Sequence, residues 1–309
     1  MLGRWASVVG GVVLISSMVA AGASGEALMS APLPSLSSLV LAPSDFRSGG
    51  ATASQATRSV SGLTVFMRVF RSGGKLSSAP LTVASLAMVE SGPEAAANDY
   101  AELNREAQST AGRKALARDF AGEFIKAFTS KARGKVKLTV TQTIVGAPVS
   151  LGEQSLRLPM TMITNFGTIR IAFAVGQVDR VISFIVLMAE LNRPVSGADA
   201  AAAMSLTKQH VTAAFTVAST APPTIVGSAT AGQTLTLDEG TWTGAPSLFD
   251  YAWSRCNATG AACAPIDGAI GRTYVPTAAD VGSTLRVAAT GANGVSLLQA
   301  TSASTSIVN

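Results

Sequence analysis

The chain has 309 residues, of which 48% are apolar and 13% charged, and its formal net charge is +5. So small a charged fraction excludes a charge-rich disordered protein. Two cysteines exclude a disulfide-rich mini-scaffold and a four-cysteine zinc site, and a single histidine excludes a multi-histidine metal centre. The length fits about two domains, and the sequence predicts neither a metal site nor a cofactor.

The N-terminus has the pattern of a secretory signal peptide over residues 1–23. Arg4 supplies a positive charge, residues 8–20 are mostly apolar, and Ala21-Gly22-Ala23 provides the small residues that a signal peptidase reads. The alternative is an uncleaved membrane anchor. Residues 24–35 are rich in alanine, serine and proline, which predicts a flexible lead-in. We therefore expect a secreted or cell-surface protein with no integral membrane domain after signal cleavage.

A first domain is predicted over residues 36–217. Apolar residues lie two apart in segments 63–69 and 81–89, which predicts two strands that form a hairpin. Good helix formers then predict two helices, one ending at Gln108 and one running to about Lys131, with Gly112 between them. In the second helix one apolar stripe recurs at every fourth position: Leu116, Phe120, Phe124 and Phe128.

Four more strands are predicted after these helices, over residues 138–144, 156–162, 169–175 and 181–189. In the first of these strands, threonines occupy every second position, which predicts one solvent-exposed face. The last is apolar on both faces, which is typical of a central strand. Ser196, with Asp199 three residues later, marks the start of a final helix that ends near Phe215. The fold class is therefore α+β, an antiparallel sheet with packed helices.

This order of elements resembles the PsbP-like fold of small exported bacterial and chloroplast proteins. Residues 39–50 (LVLAPSDFRSGG) and 166–193 (FGTIRIAFAVGQVDRVISFIVLMAELNR) also resemble uncharacterised secreted actinobacterial proteins. The resemblance covers most of 36–217 and implies an exported α+β domain without assigned catalytic residues.

A second domain is predicted over residues 222–309, after the stiff segment Ala221-Pro222-Pro223. Short strands separated by glycine and aspartate turns predict a β-sandwich, with strands at 235–237, 251–255, 273–275, 285–289 and 305–308. The net charge also changes sign here, from positive in the first domain to negative in the second. A change in composition and charge favours two folding units.

Particular residues of this region resemble bacterial immunoglobulin-like surface repeats. They are Gly227-Ser-Ala-Thr-Ala-Gly-Gln-Thr-Leu235, Gly240-Thr-Trp242, Tyr251-Ala-Trp253-Ser-Arg-Cys256, Cys263, Ile266-Asp-Gly-Ala-Ile270, Thr273-Tyr274 and Ala279-Asp280-Val281-Gly282-Ser-Thr-Leu285 with Arg286-Val287. The resemblance implies an all-β immunoglobulin-like sandwich with Trp253 in its core and a turn at Asp280-Val281-Gly282. Such repeats act as spacers or adhesive modules.

The same resemblance implies that Cys256 and Cys263 form a disulfide that closes a hairpin loop. Export to an oxidising compartment would permit this pairing. A loop this small would contribute about 2.5 kcal/mol to the free energy of unfolding. The alternative is two free buried thiols.

Catalytic patterns are weak throughout the chain. Ser72-Gly73-Gly74-Lys75 matches the S-x-x-K pattern of serine acylases, but two glycines between strands favour a loop over the helical turn that this chemistry needs. His210 is interpreted as a surface histidine of the last helix. Acidic residues cluster at the start of the first helix, where we expect them to complement the helix dipole: Glu90, Glu94, Asp99, Glu102 and Glu106. No enzymatic activity is predicted.

A basic run follows the first helix and is a candidate polyanion-binding surface. Its members are Arg113, Lys114, Arg118, Lys126, Lys131, Arg133, Lys135 and Lys137. The expected partner is an anionic envelope polymer, an anionic lipid surface or another surface protein. Nucleic acid is excluded as a partner, because few aromatic residues interleave with these cations. The alternative is a solvated helix face.

The sequence thus favours a non-enzymatic exported cell-envelope or extracellular protein with a binding, adhesion or scaffold role. The alternative function is a carrier of an apolar small molecule or lipid in the α+β domain. An adaptable pocket would suit the large flexible side chains there, as would an ordinary core: Met160, Met162, Phe173 and Met188.

We predict that the exported protein is cleaved near Ala23. The charged start, the apolar stretch and the small residues at 21–23 together present a cleavage site. N-terminal sequencing of secreted protein should show a new terminus close to residue 24. A membrane-bound protein that still begins at Met1 would instead support the anchor.

Overall fold

The computed structural model describes residues 33–46, 51–60, 63–71, 81–132 and 137–309. The signal-like segment, most of the lead-in and the Ser72–Lys75 pattern lie outside the described residues. The chain divides into two compact units, Ser35–Thr212 and Ala213–Asn309.

The first unit is built on one antiparallel sheet. Its strands are β1 (Ala51–Val60), β2 (Leu63–Arg71), β3 (Leu81–Val89), β4 (Val140–Val145), β5 (Val149–Ser150), β6 (Ser155–Thr164), β7 (Gly167–Val178) and β8 (Val181–Ala189). Within the described residues their order is β1-β2-β3-β8-β7-β6-β4, with β5 paired to β6. The predicted hairpin of β2 and β3 is present. Strand β1 was not predicted, because its short polar side chains give no apolar alternation, and it is ordered by pairing with β2.

Strand β8 lies in the centre of this sheet, as its double-sided apolar pattern predicts. Phe184 and Val186 pack into one hydrophobic cluster. Ile185 and Leu187 pack into a second cluster on the opposite face. Alternate side chains of a strand point to opposite faces, so both faces of the sheet are buried at this strand.

Three helices cover the sheet: α1 (Pro93–Gln108), α2 (Thr110–Ala132) and α3 (Gly197–Phe215). Helices α1 and α2 contribute to the first cluster through residues such as Ala96 and Phe120. Helix α3 packs on the other face through Ala200 and Met204. The predicted cap of α3 is present, since the backbone N–H of Ala198 donates to Ser196 Oγ over 3.1 Å.

The break between α1 and α2 lies at Ser109 and not at Gly112. Ser109 Oγ accepts a hydrogen bond from the backbone N–H of Gly112 over 2.8 Å and so caps the new helix. A capping serine stops one helix and starts the next within a single residue, whereas Gly112 continues the helix that it was expected to interrupt.

A register shift in β4 changes which of its side chains lie on the solvent-exposed face. Pairing with β6 is irregular between Val140 and Gln142. An irregularity of this kind reverses which side chains face the core. Val145 is therefore buried, while Ile144 is 48% exposed, contrary to the uninterrupted alternation that the sequence implied.

The second unit consists of short antiparallel strands. They are β9 (Ala218–Ala221), β10 (Thr224–Val226), β11 (Leu235–Asp238), β12 (Thr241–Thr243), β13 (Leu248–Cys256), β14 (Ala264–Pro265), β15 (Thr273–Tyr274), β16 (Thr284–Ala292) and β17 (Leu297–Thr301). Within 213–309 they form a sheet of order β10-β11-β15, a sheet of order β14-β13-β16-β17 and the pair β12-β9.

A core of large side chains joins these sheets. Trp253 from β13 is completely buried and packs with Leu235 and Leu237 of β11 and Val287 of β16. Its indole N–H donates to the carbonyl oxygen of Gly271 over 2.9 Å, so the buried polar atom is satisfied. Burial of Trp253 therefore connects strands of the two larger sheets.

Two features of this unit differ from the sequence interpretation. Pro222 and Pro223 lie between β9 and β10 inside the second unit, because β9 pairs with β12. The segment 305–308 is not a strand; it runs beside β16 through single bonds such as Thr305 N–H to Leu285 O at 2.9 Å. The last strand is instead β17, whose sequence lacks a clear apolar period.

The structure contains the disulfide that the resemblance implies. The sulfur atoms of Cys256 and Cys263 are bonded at 1.98 Å. The bond joins the end of β13 to the residue that precedes β14 and closes the loop between them.

Asp280 anchors the turn before β16 and is completely buried. One carboxylate oxygen accepts bonds from the backbone N–H of Thr277 at 2.7 Å and from Tyr274 Oη at 2.8 Å. The other oxygen accepts from Arg255 Nε at 2.7 Å. Burial by itself raises the pKa of Asp280, but these hydrogen bonds together outweigh it and lower the pKa below its usual range.

We predict that Asp280→Ala lowers the free energy of unfolding of the second unit by about 3 kcal/mol. The substitution leaves Thr277 and Tyr274 donors without an acceptor, although Arg255 can turn toward water. Because the folded-state pKa is lowered, the contribution of Asp280 is present above about pH 4 and is lost as the pH falls through that pKa.

Denaturation of the protein cleaved near Ala23, which lacks Trp5, checks this by tryptophan fluorescence, since Trp242 and Trp253 both lie in the second unit. Asp267→Ala, at an exposed position, is the matched control and should change stability by less than about 0.5 kcal/mol. A difference between wild type and Asp280→Ala that stays constant from pH 7 to pH 2 would contradict the assignment.

Candidate functional site

The elbow between α1 and α2 lies over the sheet and is held by a short network of hydrogen bonds. Ser109 Oγ also donates to the carbonyl oxygen of Glu106 over 3.0 Å. Arg113 Nη1 donates to the carbonyl oxygens of Ala107 and Gln108, at 2.9 and 2.8 Å. The guanidinium thereby satisfies the orphan carbonyls at the end of α1 and complements its dipole.

Small residues at the elbow leave space above the sheet. Ala107 and Ala117 are buried there, and the side chain of each is a single methyl group. Gly112 is required by the close approach of the two helices, because a Cβ at this position would lie 2.1 Å from the carbonyl oxygen of Glu106. These three residues contribute little side-chain volume where the helices meet, and the interior there is not filled.

The result is a cavity of about 50 Å³ between the elbow and the sheet. Its walls are apolar side chains from both helices and three strands: Leu103, Leu116, Leu156, Leu158, Phe173, Val175 and Phe184. Phe173 is held by an edge-to-face contact with Phe120, with ring centroids 5.2 Å apart. A small apolar cavity of this kind favours a hydrocarbon group over water.

Two charged side chains lie at the rim of this cavity, Glu106 and Arg113. Nη1 of Arg113 donates to the two backbone carbonyls named above, and Nη2 donates to Thr110 Oγ1 over 3.4 Å. Burial raises the pKa of Glu106, and the negative charge of Glu102 adds to that effect. The rim therefore carries a carboxylate whose charged form is disfavoured, beside a guanidinium already in use.

The sequence interpretation misplaced Glu106. It grouped the acidic residues as partners of a helix N-terminus, but Glu94 is the acidic residue in the first turn of α1. Glu106 is in the last turn, where a negative charge opposes the helix dipole. The position of Glu106 beside a cavity depends on the crossing of α1 and α2, which no local pattern reveals.

The large flexible residues considered for a pocket separate into two groups. Phe173 lines the cavity. Met160 and Met162 are buried in the packed core, and Met188 packs at its edge. Of the two alternatives left open by the sequence, the three methionines fit the ordinary core, while Phe173 joins leucine, valine and phenylalanine side chains in the cavity walls.

The basic run is only partly available in the described residues. Arg118 pairs with Asp119 at 2.8 Å, and Lys126 pairs with Glu123 at 2.6 Å. Lys114 and Lys137 are exposed. The side chains of Lys131, Arg133 and Lys135 lie outside the described residues. Polyanion binding by this run stays a prediction.

His210 is half-buried and not a fully exposed surface residue. Its Nε2 lies 2.9 Å from Asp45 Oδ2, an oxygen that also accepts the backbone N–H of Ala42 at 2.7 Å. This contact joins α3 to the segment before β1. Among the described residues no hydroxyl or thiol is hydrogen-bonded to His210, so the pair has the geometry of a structural contact.

No group of three or more potential metal-ligating side chains is present in the described residues. Nor does any helix in these residues have the length and apolar character needed to cross a membrane.

No family model matches the chain. No curated protein matches it either. Among solved structures, the chain is similar to the extracellular domain of PknH from Mycobacterium tuberculosis, with 7% identity and a TM-score of 0.26. The similarity covers 48% of this chain and 63% of that domain, so less than two thirds of the neighbour is matched.

We predict that Gly112→Ala lowers the free energy of unfolding of the first unit by about 1–3 kcal/mol. The added methyl group meets a backbone carbonyl that cannot turn away, so α1 and α2 must separate. Hydrogen exchange measured on peptides of the first unit, in increasing denaturant, gives this free energy for wild type and variant.

Gly122→Ala is the matched control in the same helix, where a new Cβ meets no atom within 4 Å. It should be neutral or stabilising by up to about 1 kcal/mol, because alanine favours a helix. Equal effects of the two substitutions would show that the close approach at the elbow is not required.

Proposed function

We propose that this protein is an exported, non-catalytic binding protein whose first unit holds an apolar group in the cavity beneath the α1–α2 elbow. The observation that carries the proposal is the cavity itself, which is walled by leucine, valine and phenylalanine side chains. Its size fits part of an alkyl chain or a small ring, and not a large cofactor. Of the functions considered from the sequence, the carrier is therefore the one that the geometry favours.

The construction of the site supports binding over simple packing. A core that only stabilised the fold would gain from a larger side chain at Ala107, which lines the cavity. The elbow instead combines a capping serine, a glycine at a close contact and an arginine that holds the end of α1. These contacts fix the walls, and a preformed site loses less conformational entropy when a ligand binds.

We also propose that the first unit belongs with PsbP-like proteins and that the second unit is an immunoglobulin-like sandwich acting as a spacer or adhesive module. Antiparallel sheets around a buried tryptophan and the Cys256–Cys263 disulfide support the second assignment. An extracytoplasmic location is proposed on the same disulfide, because such bonds persist in oxidising compartments. The signal-like segment 1–23 supports it independently.

We predict that the protein binds the neutral dye N-phenyl-1-naphthylamine through its phenyl ring, the part of the dye that the cavity can hold, and that straight-chain alcohols compete with it. A neutral apolar probe separates burial in the cavity from attraction by surface charge. Leu116→Trp places a larger side chain in the cavity wall and should weaken dye binding at least tenfold. Fluorescence titration measures both affinities.

Leu206→Trp is the matched control, since Leu206 is half-buried on α3 and packs on the opposite face of the sheet. Its dye affinity should equal that of wild type, while circular dichroism checks that both variants are folded. Wild-type protein that binds no dye, or a folded Leu116→Trp variant with unchanged affinity, would refute the proposal.

A further inference from the structure

One end of the sheet in the first unit exposes several large apolar side chains at the turn between β6 and β7. Ile163, Phe166 and Leu191 are 37%, 45% and 42% exposed. Scattered exposed apolar residues are common, but a cluster of them at one point marks an interaction site. We call these three residues the β6–β7 tip.

Hydrogen bonds hold the tip in one arrangement. Thr164 Oγ1 donates to the carbonyl oxygen of Gly167 over 2.8 Å and accepts the backbone N–H of Phe166 over 3.1 Å. The segment after β8 is joined to the same turn, because Asn192 exchanges two bonds with Thr168, at 2.7 and 2.9 Å. Leu191 therefore lies beside the turn that carries Phe166.

Three basic residues lie in or next to the segments that form this apolar cluster. Asn165 Nδ2 donates to the carbonyl oxygen of Lys137 over 3.0 Å, which brings that lysine to one side of the turn. Arg193 follows Asn192 in the chain and is exposed, and Arg170 lies three residues after the start of β7 and is half-buried. Within the described residues none of these three cations forms a salt bridge; Glu190 is the acidic residue in the adjoining segment.

We propose that the β6–β7 tip docks onto an anionic lipid surface. Phe166 and Leu191 would enter the boundary between head groups and acyl chains, while Lys137, Arg170 and Arg193 meet lipid phosphates. A soluble polyanion would match the cations but offer no apolar phase for the phenylalanine and the leucine. Lipid therefore fits both halves of the patch, and the cavity at the elbow lies toward the other end of the strands.

The test uses the full chain and vesicles of phosphatidylcholine, with or without about one third phosphatidylglycerol. Because segment 1–23 is present in every sample, effects of the tip are measured as differences between variants. We expect the combined variant Phe166→Ser with Leu191→Ser to bind anionic vesicles at least tenfold more weakly than wild type. Loss of one cation should weaken binding about fivefold. The combined variant Lys137→Glu with Arg193→Glu not only removes two cations but also adds two negative charges, so it should weaken binding by more than about fivefold per position.

The matched control is Leu248→Ser with Leu297→Ser, which removes two exposed leucines of the second unit and should leave binding unchanged. Hydrogen exchange gives a local readout: amides of residues 164–168 and 190–193 should slow on anionic vesicles, whereas Asp179 and Arg180 at the opposite end should not. Unchanged binding of both tip variants, or an equal loss of binding by the tip variants on uncharged vesicles, would overturn the proposal. So would binding of the tip to a soluble wall polyanion but not to vesicles.

Discussion

Burial of β8 on both faces is the constraint on which the first unit depends. Its successive side chains enter two different hydrophobic clusters, so helices must cover the sheet on both sides. Because β8 is apolar on both faces, its register depends on the fit of individual side chains: Phe184 lies opposite Leu86 of β3 and Val175 of β7. The other strands extend the sheet outward from this centre.

The cavity is a consequence of how α1 and α2 meet over that sheet. Ser109 ends one helix and caps the next, so the two helices approach within a distance that Gly112 permits and alanine would not. Close backbone contact at the elbow leaves the small side chain of Ala107 above the strands. The same contacts that stabilise the elbow therefore keep an apolar space open, and the proposed binding rests on that space.

The second unit is stabilised by different contacts from the first, because its strands are short and its hydrophobic core is small. Trp253 connects strands of two sheets, and the disulfide closes the loop after β13. The buried carboxylate of Asp280 accepts hydrogen bonds from Tyr274 of β15, Thr277 of the turn and Arg255 of β13, which stabilise its negative charge. Each device replaces contacts that a longer sheet would supply.

Local patterns in the sequence determined the elements with strong periodicity: the central position of β8, the helical stretch around α1 and α2, and the start of α3 at Ser196. Such features depend on neighbours in the chain, and a single sequence carries them. Tertiary structure alone decided the rest. Strand β1 forms because β2 offers a partner, the register shift in β4 reverses its faces, and Glu106 reaches a cavity rim because two helices cross. These outcomes depend on which distant residues come into contact, and no period in the sequence encodes that.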